Sequence, residues 1–408
     1  MTNPIDPHRR KFMLAAGAAL VPMTFASLAR GAEPGAAQRS MGAPVVYPSY
    51  NTRPLAPDAS SMASKAIQIA ARIKLGFNIG NTLEAIGGEN AWGNPDISQA
   101  LVNAVKARGF DAIRLPCAWN QYADQKTAKI SEDWLNRVKT VVQYCINADM
   151  YVVLNIHWDG GWLENNVTVA ARDRVIPKQR AFWEQIATHL RDYDERLIFA
   201  SANEPNCKTA EQMEVLYAYH QTFVDTVRST GGKNAYRTLV LQLAETNIEL
   251  AEPLWNKMPA DTVPDRLMVE AHYYTPAQFA IISEDASWGK MFYYWGKDFH
   301  STLEPERNAT WGEEDTVDEQ MAILKRLFTD KGIPVILGEY GAMTRKGPFD
   351  LEKHLASRNY WLAYVTQMAL ENGVVPFLWD TGDLIDRRTQ ALRDPQGLNA
   401  LLIGAGKK

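Results

Sequence analysis

Two glutamates close two short hydrophobic runs: Glu204 in Leu197-Ile-Phe-Ala-Ser-Ala-Asn-Glu-Pro205 and Glu339 in Pro334-Val-Ile-Leu-Gly-Glu-Tyr-Gly341. Each run is short, apolar and bounded by turn residues, which is the pattern of a buried strand. A carboxylate at the end of such a strand has to leave the core for a cleft, because an unpaired buried charge is too costly to keep. Either glutamate alone could cap the next helix or pair with an arginine. Two of them, on two strands of one parallel barrel, can face each other across a substrate. Carboxyls about 5 Å apart are the arrangement of a retaining glycosidase.

Other strand ends carry residues suited to the same chemistry. Ile113-Arg114-Leu115-Pro116 puts an arginine on an inward position, tolerable only beside a carboxylate, where it would hold Glu339 ionised. Asn155-Ile156-His157-Trp158-Asp159 offers His157, which could otherwise be a satisfied core histidine. Asn203 precedes Glu204 and could donate to a sugar 2-hydroxyl, a bond that strengthens in the transition state. Ala271-His272-Tyr273-Tyr274 supplies an imidazole, His272, and a phenol, Tyr274. Trp379, in Phe377-Leu378-Trp379-Asp380, is a flat platform on which a pyranose can stack.

These ends need elements to hold them. Strand-like runs at 75–80, 112–116, 151–157, 197–203, 238–243, 267–272, 334–338 and 374–379 alternate with amphipathic stretches such as 97–108, 132–149, 172–193, 210–229 and 351–371. Eight strands alternating with helices predict an α/β fold, a single (β/α)8 TIM barrel, with its site on the C-terminal face. An open dinucleotide-binding sheet would want GxGxxG after its first strand, where this chain has Asn81-Thr82-Leu83-Glu84. Residues 276–325 read as a long aromatic-rich loop over the site. At 408 residues, with 46% apolar and 22% charged residues, the chain can bury a full core. A net charge of −4 with no basic stripe argues against nucleic acid as a partner. Cys117, Cys145 and Cys207 are too scattered for a disulfide framework or a zinc site and are expected to be buried structural thiols. With neither HExxH nor clustered His/Cys ligands, no metal or cofactor is expected.

Asn-Glu-Pro, the Glu-Tyr-Gly strand, Ile-Arg-Leu-Pro and Gly76-Phe77-Asn78-Ile79-Gly80-Asn81-Thr82-Leu83-Glu84 together resemble glycoside hydrolase family 5, the cellulase family of clan A, over residues 62–400 and in the family's order. The resemblance implies retaining chemistry, with Glu204 as acid/base and Glu339 as nucleophile, supported by Arg114, His157, Asn203, His272, Tyr274 and Trp379. Gly88-Glu89-Asn90-Ala91-Trp92-Gly93-Asn94-Pro95 is similar to the endoglucanase branch, some of whose members take xyloglucan or mixed-linkage glucan. Many members carry His-His at the end of strand three, where this chain has His157-Trp158. The implied function is a retaining endo-β-1,4-glucanase acting on a polysaccharide. A β-1,4-mannanase or xyloglucan-specific hydrolase on the same barrel is the alternative, and a catalytically silent polysaccharide-binding barrel is a remoter one. Trp92, Trp119, Trp158, Trp162 and Trp295 are candidate subsite platforms, with core packing as the alternative for each.

Residues 1–32 read as an export signal: Arg9-Arg10 before an alanine-rich apolar stretch, then a small-residue cleavage site after Ala32, resembling the bacterial twin-arginine type. Without a cysteine at that site no membrane anchor is expected, and the mature protein is expected to be periplasmic or extracellular and monomeric. Residues 33–61, rich in Pro and Ala, read as a linker or an arm on the domain at 62–408.

Overall fold

Each apolar run becomes a strand because both of its faces are covered, one inside the barrel and one beneath the helices. The computed structural model describes residues 46–408, so the expected export signal and the first part of the arm lie outside the described residues. The strands are β1 (Gly76–Ile79), β2 (Ala112–Leu115), β3 (Tyr151–Asn155), β4 (Leu197–Ala200), β5 (Leu239–Gln242), β6 (Leu267–Tyr273), β7 (Val335–Tyr340) and β8 (Val374–Asp380). They close in sequence order into one barrel, with every neighbouring pair parallel. The helices are α1 (Ala66–Ala70), α2 (Gln99–Ala107), α3 (Glu132–Asn147), α4 (Val169–His189) and α5 (Ala210–Ser229), then α6 (Ile248–Leu254), α7 (Ala277–Ala280), α8 (Glu314–Leu327), α9 (Leu351–Glu371) and α10 (Pro395–Gly404).

Side chains alternate in and out along each strand. Ala112, Val153, Ile198, Val240, Met268, Ile336 and Val375 form one inner cluster, joined by Ala66 and Ile69 of α1. Their chain neighbours Ile113, Val152, Leu197, Leu239, Val269, Leu337 and Val374 belong to the larger core shared with the helices. The helices supply the matching stripe: α3 buries Trp134, Leu135, Val138, Val141, Val142 and Cys145, a helical spacing. Ser98, Thr168, Thr209, Asp350 and Asp394 each accept a backbone N–H at the start of the helix that follows.

Two departures matter for the site. β7 carries one extra residue against both neighbours: Ala271 pairs with Leu337, but His272 pairs with Glu339, and the ladder to β8 skips between Leu337 and Tyr340. This bulge at Gly338-Glu339 turns Glu339 away from the outward direction its alternation with Leu337 would dictate. Gly338 is required there, since a Cβ would lie 2.0 Å from Oε1 of Glu270. Second, the long segment after β6 is a loop only in its first part. From Glu314 it becomes α8, whose buried Val317, Gln320, Met321 and Leu324 repeat at helical spacing.

Residues 46–61 lie along the barrel as an arm. The Ser49 hydroxyl and the Tyr50 and Asn51 N–H groups all donate to Oε2 of Glu184, and the N–H of Leu55 donates to the carbonyl of Thr230. Cys117, Cys145 and Cys207 are unpaired and buried.

Candidate active site

At the C-terminal ends of the strands the inward positions change from apolar to polar. Asn78, Arg114, Asn155, Gln242 and Glu270 are all 0% exposed, so each must find its partners within the protein. Arg114 stands at the centre. Its Nη1 lies 2.9 Å from Oε1 of Glu339 and its Nε 2.9 Å from Oε1 of Glu270. Nη1 also donates to Oδ1 of Asn78 at 3.0 Å, and Nη2 to Oδ1 of Asn203 at 2.7 Å. Only a planar fork reaches four acceptors at once. Because the Asn203 oxygen accepts from Arg114, its amide nitrogen remains available as a donor.

Glu339 is held on both oxygens, by Arg114 on Oε1 and by the Tyr274 hydroxyl, 3.0 Å from Oε2. Burial is the largest influence on this carboxyl and pushes it above its ordinary range, while His272 and Arg114 pull against that. Arg114 thus opposes the effect of burial on this carboxyl, in the direction expected from sequence. Burial and the neighbouring Glu339 keep the Tyr274 phenol well above its usual value, so it remains a donor.

His272 lies between carboxylates: Nδ1 is 2.8 Å from Oε1 of Glu204 and 3.7 Å from Oε2 of Glu339, and Nε2 is 3.0 Å from Oε1 of Glu270. Burial by itself would depress the imidazole, but Glu339, Glu204 and Glu270 outweigh it and raise the ring to about 10. It is thus an imidazolium at neutral pH, donating from both nitrogens. Burial pushes Glu270 up, yet Arg114, then His272 and Gln242, leave it below its ordinary value. Glu204, His272 and Glu339 bring their nearest carboxylate and ring atoms within 4.8 Å of one another.

His157 is half-buried and stacks 5.9 Å from Trp379 with the rings 10° from parallel. Burial, then Arg114 and His272, hold it well below its usual value, so it is neutral. Its Nδ1 faces the amide nitrogen of Asn155 at 3.3 Å, which leaves the proton on Nε2. Trp379 lies flat because Gly80 has no Cβ, which would sit 2.8 Å from the indole.

The structure thus brings together Arg114, His157, Asn203, Glu204, His272, Tyr274, Glu339 and Trp379. The platform candidates divide. Trp158 is 38% exposed at the mouth, and Trp92 is half-buried in the loop after β1. Trp162 is anchored: its Nε1 donates to Asp159 at 2.9 Å, and Lys178 lies 5.1 Å over its ring. Trp295 is a correction. It is 0% exposed and its Nε1 donates to the carbonyl of Gly312, so it is core and offers no sugar a face; Trp119, also 0% exposed, is core in the same way. Sequence reasoning missed Asn78, Asn155, Gln242 and Glu270. The signal was present: Glu270 alternates with Met268 and His272 on the inward side of an apolar strand, where a charge requires a partner.

The family model described as cellulase (glycosyl hydrolase family 5) matches residues 76–384. A xyloglucan-specific endo-β-1,4-glucanase of Bacteroides ovatus is 36% identical over 377 residues, covering 86% of this chain and 72% of that protein. Endoglucanase A of Paenibacillus barcinonensis is 34% identical over 397 residues, covering 89% of this chain and 95% of that one. The structure of a Bacteroides ovatus family 5 xyloglucanase in complex with a XXXG heptasaccharide superposes with a TM-score of 0.82 at 34% identity, covering 88% of this chain and 81% of the other.

Proposed function

The chain belongs to glycosyl hydrolase family 5, and from that premise we propose that it is a retaining endo-β-1,4-glucanase in which Glu339 is the nucleophile and Glu204 the acid/base. One observation carries the reading: Glu204 and Glu339 present carboxylate oxygens within 4.8 Å of each other at the barrel mouth, close to the ~5–5.5 Å of a retaining pair and well short of the ~6.5–9.5 Å of an inverting one. Glu339 attacks the anomeric carbon while Glu204 gives its proton to the departing glycosidic oxygen, forming a glycosyl-enzyme ester. Glu204 then takes a proton from water, whose oxygen attacks the same carbon and releases Glu339. When Glu204 becomes a carboxylate, the His272 imidazolium at 2.8 Å balances its charge. Arg114 and Tyr274 orient Glu339, Asn203 donates to the 2-hydroxyl, and Trp379, with Trp158 and Trp92 further out, stacks on sugar rings.

The substrate proposed is a β-1,4-glucan backbone, with xyloglucan among the glucans accepted, as the named relatives favour. Reducing-sugar release from carboxymethyl cellulose, barley glucan, xyloglucan and mannan, measured side by side, tests this. Activity on mannan alone overturns it. Proton NMR of the first product should show the β-anomer; an initial α-anomer rejects the double displacement. Among the described residues no helix is long and apolar enough to cross a membrane. Export through residues 1–32, with 62–408 acting as a monomeric catalytic domain, belongs to the same proposal. Replacing Arg9 and Arg10 by lysines should strand active precursor in the cytoplasm; undiminished periplasmic activity would reject the twin-arginine route.

A further inference from the structure

One buried acid beside the site has no part in this chemistry. Glu164 lies in the short 3-10 turn Glu164–Asn166 between β3 and α4, and it is 4% exposed. Its Oε1 accepts the backbone N–H of Glu204 itself at 2.6 Å, and its carbonyl accepts the N–H of Asn206 at 3.0 Å. The rest of the turn is fixed too: Asn165 Oδ1 accepts from the Asn206 side chain at 2.5 Å, and the carbonyl of Asn166 accepts from the Tyr219 hydroxyl at 2.8 Å. The loop bearing Trp158 and Trp162 is therefore tied to the end of β4 through this residue.

The ionisable groups that face Glu164 are Glu204 beyond β4, Glu339 on β7 and His272 on β6. Burial and then the Glu204 carboxylate raise Glu164 to about 8, with the Glu204 N–H and His272 working against them. At neutral pH it is thus an uncharged acceptor.

We propose that Glu164 is a positioning residue for the acid/base: its carboxyl fixes the main chain of Glu204 and so aims that side chain at the glycosidic oxygen. This rests on the assignment of Glu204 above. Glu164→Gln and Glu164→Ala separate the hydrogen bond from the bulk of the side chain: the amide keeps an oxygen for the N–H of Glu204, and alanine loses it.

The test is kcat/KM, which reports the glycosylation step, on phenyl and dinitrophenyl cellotriosides across pH. The first leaving group needs acid assistance and the second does not. Glu164→Gln should stay within about threefold of the parent on both substrates. Glu164→Ala should lose about tenfold or more on the phenyl substrate and far less on the dinitrophenyl one. Equal loss on both substrates in Glu164→Ala overturns the proposal, as does a loss of about tenfold in Glu164→Gln. Should the alanine variant not fold, judged by thermal unfolding, Glu164→Met, which keeps the bulk without a comparable acceptor, takes its place under the same criteria. Glu204→Ala, run in parallel, must itself spare the dinitrophenyl substrate. If it does not, the acid/base assignment has failed; if it does, only the role of Glu164 is at issue.

Discussion

Replacing Arg114 by methionine removes the one charge that two buried carboxylates share while nearly preserving volume. The side chains of Arg114 and Glu270 are 0% exposed and that of Glu339 is 8% exposed, so water cannot take the arginine's place. Breaking a buried pair by removing one partner costs about 3–5 kcal/mol. That is a large share of a total stability on the order of 5–15 kcal/mol. The deficit should depend on pH. Glu270 is held below its ordinary value in the folded chain despite burial, with Arg114 its strongest counterweight. A depressed carboxyl contributes stability above its unfolded pKa, about 4.3, and loses it as pH falls through the folded one. Without Arg114 the buried acids take up protons at higher pH, so acid hurts the variant less than the parent. Urea unfolding followed by tryptophan fluorescence should show the full deficit at neutral pH and a much smaller one in the carboxylate range. A deficit below about 1 kcal/mol at neutral pH, or one equal at both pH values, refutes the buried-pair account. Arg114→Lys should restore part of the stability but little of the activity, because one ammonium cannot serve four acceptors in a plane.

Glu339→Ala should lose hydrolysis by about five orders of magnitude while still unfolding cooperatively, and added azide should yield an α-glycosyl azide. A β-configured azide would mean that the other glutamate is the nucleophile. His272→Gln should destabilise the protein most below pH ~6.5, the ordinary histidine value. A raised imidazole contributes its stability there and loses it as pH climbs through its folded value of about 10. A deficit that grows with pH in chemical denaturation would contradict the imidazolium. Gly338→Ala places a methyl 2.0 Å from Oε1 of Glu270 and should cost about 1–3 kcal/mol, with kcat falling further than stability alone predicts. A neutral substitution would show that the β7 bulge is not constrained by that contact.

All eight strands were legible in the sequence, and so were the starts and ends of α5 and α9. These elements are signalled by period and by turn residues, which are local. The same locality explains the misreading of 276–325, where aromatic density masked the helical spacing of Val317, Met321 and Leu324. It explains Trp295 as well: composition marks an indole as able to stack but says nothing of what covers it, and here the loop folds over it.

Local sequence alone places Glu204 just past one strand of the barrel and Glu339 near the end of another, since a strand boundary is written in a few consecutive residues. Which polar side chains would share a height in the barrel was decided only by the tertiary structure, through the register of strands far apart in the chain. Arg114 meets Asn78, Asn203, Glu270 and Glu339 from four other strand ends, and no local pattern encodes that meeting. Strict alternation would have sent Glu339 outward with Leu337; the extra residue at Gly338, set by pairing on both sides of β7, turns it to face His272. Glu164 reaches Glu204 from a turn 40 residues away. Burial, and with it the protonation of these acids, is a property of the closed barrel, because the medium around a charge is made by residues that folding brings in from the whole chain.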